Sequence, residues 1–406
     1  MKITAVDTVV VGNPVPIKGG INWGFVKVTT DEGIIGWGEM NGMEFRDKSV
    51  VAIVHEYAEQ FLIGRHDPFD IERLWGRLHG GDDTRFWHYF RNVGSLDGQV
   101  LGAIEMACWD IIGKAAGQPV YNLLGGRYHE KLRSYSYIYD WVPGEPPEKA
   151  GDGALAVLER GFSAIKFDPI FPMLPAPRSI SLAELNYVDQ VLAAIRDKVG
   201  NRMDLLIGTH GQLDSHSAIR LAKVLERYDP LWFEEPVPQE NKQAMGLVAR
   251  STSVPIATGE RLTTKWEFQQ VLEHNAASII QVNVGLNGLL ESKKIAGMAE
   301  AHYASIAPWT YCGPVSAAAS IQLDVCSPNF LIQEGIEDWT GFPAEILVEP
   351  IQWEDGFVIP STRPGLGVEL DEKVLAKYPP NEARLADLEP LLVAFDNMKP
   401  AIARYV

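Results

Sequence analysis

The chain has 406 residues, 46% of them apolar, and its 36 Lys plus Arg against 53 Asp plus Glu give a net charge of −17. That length is comfortable for two domains, and the acidity argues against a nucleic-acid partner, which needs basic surface for phosphates. No run reaches the roughly eighteen unbroken apolar residues of a membrane span, which excludes a membrane partner of that kind.

The opening MKITAVDTVVVG lacks the charged, apolar and small-residue plan of a signal peptide and reads as a strand, with Ile3, Ala5, Val9 and Val11 apolar. Residues 1–50 alternate with period two, as in GFVKVTTDEGIIGWGEM, and Thr30-Asp31-Glu32-Gly33 supplies a turn, so an antiparallel meander is predicted. Helical spacing follows in VVAIVHEYAEQFLIG and in GAIEMACWDIIGKAAG (102–117), where Gly117 is the predicted stop. Strands followed by helices make residues 1–127 an α+β domain.

Residues 128–340 have a different rhythm. Short β runs, SYSYIYD (134–140), SAIKFD (163–168), DLLIGTH (204–210), LWFEEP (231–236), VPIATGE (254–260), SIIQVNV (278–284), ASIAPW (304–309) and FLIQEG (330–335), alternate with helical segments such as SAIRLAKVLERY (217–228). Eight strands with a helix between successive ones predict a parallel α/β barrel. An open doubly wound sheet would carry a phosphate-type glycine loop after its first strand, and none is there. Residues 341–406 form a tail with strand-like pieces, notably ILVEPIQWEDGFVI, predicted to pack back on the N-terminal meander. Cys108, Cys312 and Cys326 sit in apolar contexts at no ligand-like spacing, as buried free thiols of a reducing cytoplasm do.

In such barrels the chemistry sits at the C-terminal ends of the strands. Here those ends carry Lys166 and Asp168, His210, Glu234 and Glu235, Glu260, Asn283, Trp309 and Glu334. Taken singly, each is an ordinary solvated, salt-bridged or structural residue. Polar groups at nearly every end describe one rim facing a shared cavity. His210, Glu234 and Glu260, from three successive strands, could converge on a hard cation such as Mg²⁺. Lys166 on the same rim, facing a cation and a carbon acid, is expected to have a lowered pKa and to act as a base. A protonated Glu334 could hydrogen-bond a developing enolate oxygen. Together these groups suit proton abstraction next to a carboxylate. Alternation sends Glu235 away from Glu234, to a helix-facing or salt-bridging place.

Three stretches, GAIEMACWDIIGKAAGQPVYNLLGG (102–126), LWFEEPVPQEN with VPIATGER, and YCGPVSAAASIQLDVCSPNFLIQE (311–334), resemble the mandelate racemase branch of the enolase superfamily. The resemblance covers essentially the whole chain. It implies a modified (β/α)7β TIM barrel with an N-terminal α+β capping domain completed by the C-terminal tail. The FEEPVPxEN form is most similar to the sugar-acid dehydratases of that branch, the galactonate, gluconate and mannonate types. By resemblance Glu234 and Glu260 are metal ligands for Mg²⁺, Lys166 and Asp168 are the second-strand K-x-K-type pair, and Glu334 is the eighth-strand electrophile. His210 falls two residues after the third-strand ligand position, at the place of a catalytic histidine.

Three positions depart from the branch: Gly208 replaces the third-strand Asp ligand, Asn283 the sixth-strand Asp and Trp309 the seventh-strand His of a His–Asp dyad. A 1,1-proton transfer thereby loses its second base, whereas loss of water can proceed with one group on one face. His210 is open as acid, base or replacement ligand, and Asp168 is a second candidate for the missing carboxylate. Loops 12–23 and 80–92 resemble lids, and Arg85, Trp87 and Trp309, with His88 and Arg91, are candidate substrate contacts. The expected function is a Mg²⁺-dependent dehydratase of a small-molecule sugar acid, acting by α-proton abstraction, a metal-stabilised enediolate and β-elimination of water. A cycloisomerase or epimerase on the same intermediate, or a binding relative that has lost catalysis, are the alternatives. The resemblance also implies a homo-oligomer.

Overall fold

The computed structural model describes residues 1–41, 46–80, 94–170, 175–336 and 339–382. Strands β1 (Ile3–Gly12), β2 (Asn22–Thr30) and β3 (Ile35–Met40) form an antiparallel meander. Its second turn closes where Gly33, at φ 78°, donates its N–H to the Thr30 carbonyl. Helices α1 (Asp47–Tyr57), α2 (Ile71–His79) and α3 (Ser95–Ala116) follow. The middle of α3, from Gly98 to Gly113, is buried throughout, the fate of a helix with apolar residues all round. β3 crosses it so closely that a Cβ at Gly36 or Gly38 would lie 2.1 or 1.8 Å from the Ala107 or Ala103 carbonyl oxygen, so only glycine fits. Gly117 ends α3 in the left-handed conformation, as the sequence predicts.

After α4 (Val120–Leu123) the chain alternates: β4 (Leu132–Tyr137), α5 (Pro147–Glu159), β5 (Ala164–Phe167), α6 (Leu182–Val199), β6 (Asp204–Gly208), α7 (Ser215–Leu225), β7 (Trp232–Glu234), α8 (Lys242–Ala249), β8 (Ile256–Thr258), α9 (Thr264–Glu273), β9 (Ile279–Ile280), α10 (Val284–Asn287), α11 (Leu289–Ala301), β10 (Ser305–Ile306), α12 (Pro314–Val325) and β11 (Gln333–Glu334). Strands β4 to β10 pair in parallel in chain order. β11 pairs with β4, and a parallel bridge from Ile306 to Phe330 joins β10 to the same eighth segment, which closes the barrel. Inside, Tyr135, Ala164, Leu206, Trp232, Ala257, Ile279, Ala307 and Ile332 pack together, one from each strand segment, large beside small.

The strands are shorter than alternation predicts. The ladders of β6, β8, β9 and β10 stop at Gly208, Thr258, Ile280 and Ile306, so His210, Glu260, Asn283 and Trp309 stand two or three residues beyond them. The backbone turns to positive φ at His210 (48°) and Gly259 (135°), a conformation no ladder accommodates.

The tail adds α13 (Phe342–Glu345), the hairpin β12 (Gln352–Glu354) and β13 (Phe357–Ile359), and α14 (Glu372–Leu375). Asp355 and Gly356, both at positive φ, make the hairpin's two-residue turn, and β13 pairs antiparallel with β4. Beyond it, the Trp37 indole N–H donates to Glu369 (2.9 Å), Lys27 pairs with Glu372 (2.6 Å), and Asn381 donates to the Asn13 and Ile21 carbonyls. The tail therefore runs along the meander. No helix among the described residues is long and apolar enough to cross a membrane.

Two buried glutamates tie the capping domain to the barrel. Glu39, in β3, accepts the N–H groups of Gly313, Val315 and Ser316 at the start of α12. Glu105, in α3, accepts those of Leu289 (2.6 Å) and Leu290 (2.9 Å) at the start of α11 and the Trp109 indole N–H. Each satisfies helix donors that have no partner within the helix. Burial outweighs these bonds and lifts both carboxyls to a pKa of about 7. A raised carboxyl binds its proton more tightly in the folded chain. Its contribution to stability is full below the ordinary glutamate range and is lost as pH rises through about 7. Glu105→Gln removes that dependence. The unfolding free energy of the parent chain relative to the variant should therefore fall between about pH 5 and about pH 8 in urea titrations. A constant difference would show Glu105 ionised throughout.

Candidate active site

β5 and β7, separated by β6, bring Lys166 and Glu234 together inside the barrel mouth. Both are buried, and Lys166 Nζ donates to Glu234 Oε1 at 2.6 Å. Glu234 Oε2 accepts from the Trp232 indole (2.9 Å) and the Gln281 amide (2.8 Å). The lysine also stands 3.7 Å from Glu334 Oε1 and 5.5 Å from the centre of the Tyr137 ring. Burial, the largest single influence, opposes its charge, but the Glu234 carboxylate together with Glu334, Glu260 and the other acidic groups around it outweighs burial, and the pKa stands well above the ordinary lysine value. The lowered value expected from the sequence is that of a lysine facing a cation; among protein groups alone the nearest charge to Lys166 is the Glu234 carboxylate, and the shift runs upward.

The third strand ends in a turn that aims His210 at the same place. Thr209 Oγ1 bonds to the Glu234 and Glu235 carbonyls, Gly211 N–H to the Glu235 carbonyl, and His210 sits between them at φ 48°. A left-handed non-glycine backbone costs of order 1–3 kcal/mol and persists where the surroundings over-determine it. His210 Nδ1 lies 2.7 Å from Asp168 Oδ2. The Asp168 charge raises the imidazole to a pKa of about 10 against the cost of partial burial. The ring is half open, with 48% of its side chain exposed.

His210, Glu234 and Glu260 each offer a ligand atom, all within 4.8 Å of one another. Glu260 is 8% exposed, and its Oε2 is buried with no hydrogen-bond partner. Burial, then the neighbouring Glu235, push its carboxyl up to about 8. A partnerless buried oxygen beside a second carboxylate and an imidazole fits a divalent cation: the donor set is one nitrogen and two oxygens. Asp168 stands beside this cluster and engages it through His210.

On the far wall Glu334 accepts from the Tyr137 hydroxyl and the Thr310 N–H, one on each oxygen. Both of its oxygens are thus engaged by protein donors. Tyr137 joins the mouth without having been singled out in the sequence. The signal was present in SYSYIYD, where Tyr135, Tyr137 and Tyr139 recur with period two on one face, and Tyr137 also meets Tyr311 edge-on at 5.5 Å. Asn283 accepts from the Asn41 amide of the capping domain and donates to the Glu260 carbonyl. Trp309 lines a cavity of about 110 Å³ with Trp23, Glu39 and Asn41 of the capping domain and Tyr311. Lys166, Asp168, His210, Glu234, Glu260 and Glu334 thus share the barrel mouth, while Trp309 faces the capping domain. Arg85, Trp87, His88 and Arg91 lie outside the described residues.

Glu235, also at positive φ (41°), is buried and paired with Arg261, the salt-bridging place expected for it.

Residues 150–374 match the family model described as enolase C-terminal domain-like, and residues 19–125 that of the mandelate racemase/muconate lactonizing enzyme N-terminal domain. A D-galactonate dehydratase of Variovorax paradoxus (strain S110) is 38% identical over 362 residues, 86% of this chain and 89% of that protein. A solved protein of Burkholderia SAR-1, assigned to the mandelate racemase/muconate lactonizing enzymes, superposes with a TM-score of 0.90 at 48% identity, covering 95% of this chain and 96% of its own. Another such enzyme, from Jannaschia sp. CCS1, gives 0.88 at 38% identity, covering 95% and 99%.

Removing the partner of a buried charge leaves it uncompensated. Arg261→Met should lower the unfolding free energy by about 1–3 kcal/mol, read by urea denaturation. A change within error would mean that Glu235 is satisfied by its other neighbours.

Proposed function

This chain belongs to the mandelate racemase/muconate lactonizing enzymes of the enolase superfamily, and from that premise we propose that it is a hydro-lyase acting on a sugar acid. The observation that carries the reading is the gathering of His210, Glu234 and Glu260 within 4.8 Å, with Lys166 bonded to one of them. The dehydratase relative supports the substrate class. Glu234, Glu260 and His210 would hold the divalent cation, expected from the family resemblance to be Mg²⁺. Its charge would favour the doubly ionised form that a carboxylic acid takes on losing its α-proton.

Lys166 is the acid–base group in this reading. It takes the proton from the carbon next to the carboxylate, and the C–O bond at the β-carbon breaks. The hydroxyl leaves as water with a proton that Lys166 can return on the same face. The enol product then tautomerises to an α-keto acid, so atoms balance without another reactant. To serve, Lys166 must give up its hold on Glu234, and a cation sharing that carboxylate weakens the hold. Tyr137, donating to Glu334, orders the far wall.

The test is a screen of aldonic and related sugar acids with a divalent cation, reading α-keto acid formation. Lys166→Ala should lower turnover about 10²–10⁴-fold, the usual worth of a positioned acid–base group. Full turnover in Lys166→Ala would move the proton to another residue. Exchange of the α-hydrogen with solvent deuterium, without α-keto acid, would replace elimination by epimerisation.

A further inference from the structure

The third strand lacks its carboxylate, and the space is not left open. An ideal Cβ at Gly208 would lie 2.2 Å from Asp168 Oδ1, closer than side-chain atoms approach, and 3.4 Å from Lys166 Cε. The register explains the overlap. Phe167 pairs with Ile207 across β5 and β6, so Asp168 falls beside Gly208. One oxygen of Asp168 therefore fills the place where a side chain at 208 would begin, and the other holds His210 Nδ1 at 2.7 Å. With Nδ1 engaged, Nε2 is the ring nitrogen left for a ligand. The partnerless Glu260 Oε2, buried in the same cluster, is the independent sign that the group is built for a cation.

Resting on the functional reading above, we infer that Gly208 and Asp168 act as one device: Asp168 occupies the vacated third-strand space and orients His210, which becomes the third ligand of a nitrogen-containing cation site. Asp168 is a positioning residue here, acting through the imidazole. Outer carboxylates that orient a ligating histidine typically affect metal affinity 10–100-fold. Exchanging a carboxylate for an imidazole also softens the donor set, which favours Mn²⁺ relative to Mg²⁺. Gly208 is required because any side chain there would displace Asp168.

The experiment uses the full chain stripped of metal and reloaded with Mn²⁺ or Mg²⁺. Pulsed EPR of the Mn²⁺ form should show nitrogen modulation from a coordinated imidazole, and His210→Gln should abolish it. Asp168→Ala and Gly208→Ala should each weaken Mn²⁺ binding by about 10–100-fold in titration calorimetry. The double variant should be no worse than either single one, because both changes remove the same contact. Moving the carboxylate back, with Gly208→Asp in an Asp168→Ala background, should lower the ratio of Mn²⁺ to Mg²⁺ affinity. Bound Mn²⁺ without nitrogen modulation would overturn the inference and make His210 an acid–base group. In that case sugar-acid turnover dependent on Lys166 would still stand, so the two failures are distinguishable. Full additivity of the Asp168 and Gly208 effects would equally overturn the coupling.

Discussion

A carboxylate taken out of water must find compensation, and that constraint organises this molecule from its domain junction to its catalytic mouth. Glu39 and Glu105 find it at the starts of α12 and α11, and so fasten the capping domain to the barrel. Glu234 finds Lys166, Trp232 and Gln281, Glu235 finds Arg261, and Glu334 finds Tyr137 and Thr310. Asp324, deep in α12, meets the constraint differently: burial with no charged neighbour raises its carboxyl well above the ordinary aspartate range, favouring the neutral form. Glu260 cannot settle so simply. It shares its surroundings with Glu235, Glu234 and His210, and one of its buried oxygens meets no protein donor. Three ligand-type side chains close together, with one partnerless oxygen among them, make the arrangement that the proposed cation would complete.

The barrel makes such a cluster possible at modest cost. Parallel strands end on one side, so side chains far apart in sequence converge without long loops. The ladders stop early, and the residues just past them are steered by short turns at positive φ. His210 and Glu235 are both left-handed, and the turn that carries one bonds to the carbonyl of the other. Two adjacent strand ends are thus locked to each other before any ligand arrives, which is how a rigid scaffold fixes a site on loops.

Much of this was legible in the sequence. Period-two and helical spacing give the meander, α3 and the βα alternation, because those patterns report which face is buried. The acids at the strand ends were legible for the same reason, as polar groups where apolar runs stop. What failed to show was anything set by a neighbour in space. The sign of the Lys166 shift depends on Glu234, 68 residues away, being in contact. The place proposed for Asp168 depends on the register between β5 and β6, which sets it against Gly208. The lengths of β9 and β10, two residues each, depend on how the mouth flares, and alternation of side chains carries no information on that.

Asn283 and Trp309, where the family resemblance implies a His–Asp dyad, bear on which chemistry the rim can support. β9, the sixth strand, stands four places from β5 around a closed ring of eight, so Asn283 and Lys166 come from opposite walls of the barrel. Its amide does not titrate, and it is committed to Asn41 and to the Glu260 carbonyl. Trp309, on the next strand segment, does not titrate either and turns toward the capping domain. A proton taken on the Lys166 side therefore meets no base at these two positions on the opposite wall. Racemisation through two opposed bases needs that second group; elimination does not, because the group that takes the proton can return it to the departing hydroxyl. Asn283 and Trp309 are thus compatible with the proposed elimination, and the amide at 283 binds the capping domain to the rim.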